Sequence, residues 1–179
     1  MRLNVRKITL GGMYIGVGLV LPFLTGQIKT IGNMLLPMHI PVLLCGLTCG
    51  WKYGLAVGVV LPLLRSVAFG MPVFYPNAIG MAFEMGTYGA VIGVLYERTR
   101  QKHVVALYES LIIAMVAGRL VWGMVRVILL GLEGDMFTWQ MFLSGAVLNA
   151  IPGIILQLIL IPAIMVALKQ RNESSESIL

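Results

Sequence analysis

VVALYESLIIAMVAGRLVWGMVRVILL, Val104–Leu130, decides the fold. It is an apolar run without period-two alternation. It is also longer than the about 20 residues that cover a hydrocarbon core of about 30 Å at 1.5 Å rise per residue. Such a run reads as a transmembrane helix, and the rest of the chain repeats the pattern. Of the 179 residues, 59% are apolar and only 11% charged, whereas a soluble domain has roughly a quarter of its residues charged. The net charge of +6 does not point to nucleic acid, because the basic residues stand in short clusters at the ends of apolar blocks, as membrane topology places them.

Upstream of that run, Ile8–Thr25 is the first span. Its length, Pro22 and the lack of a small-residue cleavage site after it mark a retained helix, not a removed leader. The mixed stretch Gly26–Pro37, with Gln27, Lys29 and Asn33, is a loop longer than bundles usually need and a candidate functional loop. Met38–Gly50 is apolar but short for a crossing, so the second helix is either short or enters partway; Trp51, Lys52 and Tyr53 then mark an interface. Gly54–Phe69 is the third span, Gly70–Pro76 a proline-rich connector and Asn77–Tyr96 the fourth span. A basic loop, Glu97–His103, precedes Val104–Leu130. An acidic loop, Gly131–Trp139, leads into the sixth span, Gln140–Leu168.

Lys and Arg set the orientation. With the N-terminus cytoplasmic, the inner side holds Arg2, Arg6, Lys7, Lys52, Arg98, Arg100, Lys102, Lys169 and Arg171, and the outer loops hold Lys29 alone. The expected fold is all-α and membrane-integral: six transmembrane helices with both termini cytoplasmic, one membrane domain over 1–168 and a disordered cytoplasmic tail over 169–179. No fixed-period repeat or inverted duplication stands out.

Three of the 13 basic residues remain, Arg65, Arg119 and Arg126, and they fall inside predicted spans together with Glu84. Each costs a few kcal/mol at mid-bilayer unless paired or hydrated, and intramembrane charges usually mark function. Arg65 is near the outer end of the third helix, Glu84 about two turns into the fourth, and Arg126 about one turn below the outer end of the fifth. Arg119 is about 10 Å deeper than Arg126, and Asn149 lies partway into the sixth helix. Arg119, Trp122 and Arg126 form one basic and aromatic strip, and Asn77, Met81, Glu84 and Tyr88 share a face of the fourth helix. The set outlines a pocket facing outward. Glu84 neutralises one arginine, and the surplus favours a ligand bearing a carboxylate or phosphate, which a guanidinium grips with paired hydrogen bonds. The blander alternative is that Glu84 and Arg119 lock two helices while Arg65 and Arg126 snorkel to headgroups. His39, between Pro37 and Pro41, joins the candidates, although a lone histidine at a helix start is more often interfacial.

Enzyme signatures are missing: no phosphate loop, no HExxH, no Gly-x-Ser-x-Gly and no paired acidic cluster. Cys45 and Cys49 lack partners at zinc spacing, so they read as buried small hydrophobes; neither a metal nor a cofactor is expected. On the first helix, Gly12 and Gly16 have the small-xxx-small spacing that lets helices approach closely.

With six predicted helices, a glycine-rich first helix, a long first outer loop and a small size, the chain resembles the substrate-binding S components of energy-coupling factor (ECF) vitamin transporters. Leu36-Pro37-Met38-His39-Ile40-Pro41-Val42-Leu43-Leu44, running into Gly46 and Gly50, carries the likeness, as does Ile151-Pro152-Gly153-Ile154-Ile155-Leu156-Gln157. The resemblance implies a micronutrient binder in a bacterial cytoplasmic membrane, working with a transmembrane coupling protein and two cytoplasmic ATPases. It further implies a ligand held near the outer side among the last three helices and transport by toppling of the subunit. Family members usually carry alanines at AxxxA spacing on the first helix, facing the coupling protein; Gly12 and Gly16 hold comparable positions and preserve smallness. Two other readings stand beside it: an independent small-solute transporter or channel, and a membrane enzyme acting on lipid intermediates.

Overall fold

The computed structural model describes residues 5–24, 37–99, 104–132, 138–146 and 150–176. The helices are α1 (Val5–Leu24), α2 (His39–Cys49), α3 (Trp51–Phe69), α4 (Ile79–Arg98), α5 (Val104–Leu132), α6 (Trp139–Ala146) and α7 (Ile151–Glu176); a kinked segment, Phe74–Ala78, in which Tyr75 is extended, leads into α4. Among the described residues, four segments are long and apolar enough to cross a membrane: Trp51–Phe69, Phe74–Arg98, Val104–Leu132 and Ile151–Gln170. Large apolar side chains such as Val67, Ile112, Ile128 and Ile159 point away from the bundle, an outward face suited to lipid. This is a multi-pass, all-helical membrane protein.

Helix α4 is the hub and packs against α2, α3 and α5. Its glycines permit the approach: a Cβ at either Gly46 of α2 or Gly54 of α3 would lie 2.6 Å from the Gly89 carbonyl oxygen, so three backbones meet there. Gly50 is the joint between α2 and α3. Its φ of +97° is open to glycine and strained for other residues. It folds the two helices into a tight hairpin in which Gly46 and Gly54 face each other. Around this junction the core is dry, with Val42, Leu43, Leu61, Met85, Ile92, Leu111 and Ile161 all fully buried.

The short second helix has 11 residues and rises about 16 Å, roughly half the hydrocarbon thickness. The expected sixth span is divided into α6 and α7. Pro152 explains where α7 begins: its missing N–H falls among the first four donors of a helix, which have no intrahelical acceptor. The helical backbone also continues past Leu168 to Glu176, through residues expected to form a disordered tail. Lys169, Gln170, Arg171 and Glu173 are good helix formers, and polarity argues against burial, not against helix. Arg6 and Lys7 of α1 line one cavity with Leu168 and Lys169 of α7, so the chain begins and ends its bundle at the same end. The expected loop over 26–37 lies outside the described residues up to residue 36.

Candidate functional site

Glu84 and Tyr88 stand four residues apart on α4, one helical turn, on the face turned into the bundle. Three groups converge on Glu84 Oε1. Arg119 Nη1, from α5, lies 2.9 Å from it, and the Tyr88 hydroxyl donates to it at 3.0 Å. His39 Nε2, from the start of α2, approaches to 3.6 Å, too far for a hydrogen bond. The His39 and Tyr88 rings also meet, with centroids 5.3 Å apart. Tyr88 is wedged in place because α5 has Gly118 opposite it, where a Cβ would collide with the phenol ring. His39, Glu84 and Tyr88 are each no more than 2% exposed, so this is a polar cluster inside the membrane core.

The cluster holds more donors than it uses. Arg119 commits one of its five donors to Glu84, while its Nε and Nη2 have no acceptor among the described residues; the same holds for both ring nitrogens of His39. Elsewhere in the core, Gln157 of α7 is 1% exposed and its Nε2 has no partner among the described residues. It shares a helix face with Ile154 and Ile161, which pack on the core. Buried donors without acceptors cost about 1–3 kcal/mol each, so a chemically complementary acceptor would bind there with a built-in advantage.

Along the same α4–α5 seam, about 10 Å from Arg119 by helix rise, sits a second group. Arg126 Nη1 donates to Asn77 Oδ1 at 2.8 Å, and its guanidinium lies 5.6 Å from the centre of the Trp122 ring. Trp122 in turn meets Phe142 of α6, with ring centres 6.3 Å apart. Gly80 lies beside this group, and a Cβ there would make an ordinary contact, 3.5 Å, with Arg126 Cδ. Among the described residues the two groups hold two guanidinium groups and one carboxylate.

The structure thus brings Glu84, Tyr88, Arg119 and His39 into one cluster, and Arg126, Asn77 and Trp122 into a second. It buries His39, read from the sequence as more often interfacial, inside the bundle beside Glu84 and Tyr88. It also corrects the snorkelling reading of Arg65. That side chain is 5% exposed, donates from Nη1 to the Leu19 carbonyl at 2.8 Å, and lies 5.3 and 5.6 Å from the rings of Phe23 and Phe69. A cation near the C-terminal end of α1 complements the helix dipole, so Arg65 ties α1 to α3 and does not meet Glu84. Asn149 lies outside the described residues. Gln157 is an addition: it lies in a stretch already singled out in the sequence, where a lone amide in an apolar run was the available signal. Gly12 and Gly16 face away from the bundle, with nothing within 4 Å of a Cβ at either position.

The family described as ECF transporter, substrate-specific component, matches residues 6–165, a stretch that contains both polar clusters, Gln157 and most of α1. No curated protein and no solved structure matches the chain. A membrane-embedded helical bundle with donor-rich clusters in its interior, matched from its first helix into its last, belongs to the family of substrate-specific components of ECF transporters.

Proposed function

We propose that the chain captures a water-soluble vitamin or related micronutrient bearing a carboxylate or phosphate, at a site built on the α4–α5 seam, in a bacterial cytoplasmic membrane. Uptake is energised by a separate ECF coupling protein and two ATP-binding subunits. The observation that carries the ligand class is the half-used fork of Arg119: Nη1 holds Glu84 while Nε and Nη2 remain for an acceptor with two oxygens. The His39 ring lies beside the same carboxylate, and Arg126 supplies a second guanidinium on the seam.

Six crossings with both termini cytoplasmic complete the proposal. The clustering of Lys and Arg supports it, as does the shared end of α1 and α7. Gly12 and Gly16, open on the outer face of α1, are the proposed docking surface for the coupling protein.

Mass spectrometry of small molecules retained on the purified chain identifies the ligand. Equilibrium binding to the wild type and to Arg119→Lys then tests the site. Lysine keeps the ion pair with Glu84 and removes the planar fork, so affinity is expected to fall by about tenfold or more with little change in folding. Unchanged affinity, or a retained ligand with neither carboxylate nor phosphate, overturns this assignment.

A further inference from the structure

At the end of the bundle shared by the start of α1 and the final turns of α7, far from the donor clusters, a cavity of about 740 Å³ opens. Helix α1 packs on α2 and α3, while α7 packs on α5 and α2, and the cavity occupies the cleft left between α1 and α7. Arg6, Lys7 and Lys169 line it, together with apolar side chains that include Leu10, Leu107 and Met165. Lys7 Nζ lies 5.9 Å from the Tyr53 ring centre, and the Glu97 carboxylate sits over Gly50 near the same ammonium. Among the described residues Arg6 and Lys7 alone outnumber the Glu97 carboxylate, so the rim is positive. The cleft therefore combines a cationic rim with apolar walls, at the level where lipid headgroups meet acyl chains.

We propose that this cleft is a binding site for an anionic phospholipid of the adjoining leaflet. The phosphate engages Arg6, Lys7 and Lys169, and the upper part of one acyl chain lies along Leu10, Leu107 and Met165. Basic pockets between transmembrane helices recognise anionic headgroups in this manner. A small inorganic anion would use the rim alone and leave the apolar walls uncovered; a phospholipid uses both. The occupant bridges α1 to α7 and so steadies the helix that carries Gly12 and Gly16.

The test is native mass spectrometry of the full chain released from nanodiscs of equal phosphatidylglycerol and phosphatidylcholine, with inorganic phosphate as a competitor. The wild type is expected to retain phosphatidylglycerol selectively and to keep it in millimolar phosphate. Each of the single changes Arg6→Gln, Lys7→Gln and Lys169→Gln lowers that preference by about fivefold, and the triple variant by about a hundredfold. Met165→Trp, which fills the apolar wall without changing a charge, lowers occupancy of the bound lipid as well. Melting in phosphatidylcholine alone checks that each variant is folded, and the single variants carry the test if the triple variant is not. Equal retention of the two lipids, an intact preference in the folded charge variants, or displacement by phosphate with no effect of Met165→Trp each overturns the proposal.

Discussion

Replacing Glu84 by glutamine isolates the charge at the centre of the bundle. Glutamine keeps an oxygen that can accept from the Tyr88 hydroxyl, so what is lost is the attraction between Glu84 and Arg119 at 2.9 Å. With an effective dielectric constant of about 20, Coulomb's law gives about 6 kcal/mol of gross attraction at that separation. Desolvation of the two ions removes much of this, but removing one partner leaves the other charge buried, which costs about 3–5 kcal/mol. We expect about 3 kcal/mol of destabilisation from Glu84→Gln and a similar loss from Arg119→Met. The double variant leaves neither charge stranded and should cost no more than about 2 kcal/mol, so the coupling energy is at least about 4 kcal/mol. Equilibrium unfolding of the four proteins in mixed micelles, followed by tryptophan fluorescence, measures the cycle. If the single costs add to within about 0.5 kcal/mol, the two side chains are not coupled and the cluster geometry is refuted.

Three further outcomes follow from the same geometry. Arg126→Ala is expected to weaken ligand binding by about tenfold to a hundredfold while expression is maintained, because it removes a charge-assisted donor; titration calorimetry with unchanged affinity would remove Arg126 from the site. Gly118→Ala should cost about 1–3 kcal/mol of stability and displace Tyr88 from Glu84, since the added methyl has no space beside the ring; wild-type melting would contradict the packing. Gly16→Leu should spare binding by the isolated chain and impair uptake in the assembled transporter, and normal uptake would count against that face as a docking surface.

The candidate polar residues were legible because a charge on an apolar background stands out whatever its partner. Glu84 and Tyr88 share a turn of one helix, as their spacing predicts, whereas Asn77, expected on the same face, lies in the segment Phe74–Ala78 before that helix and meets Arg126 instead. Depth was harder to read. The run containing α2 looks equally apolar whether it spans or stops midway, so only the hairpin at Gly50 reveals that His39 is buried beside Glu84. Arg65 was assigned to the pocket or to headgroups because its partners, Phe23 and Leu19, lie on a helix more than 40 residues away in sequence. Hydropathy averages over a window and cannot register the division of the last span near Pro152, nor can the polarity of Lys169–Glu176 distinguish exposed helix from exposed coil.

The central claim is that this chain supplies a binding site and no engine. Its most direct test is ligand uptake into proteoliposomes holding the chain alone or with its coupling protein and ATPases, with and without ATP. The account predicts ligand binding by the chain alone, and uptake only when the full complex hydrolyses ATP. Full-rate, ATP-independent uptake by the chain alone would contradict it.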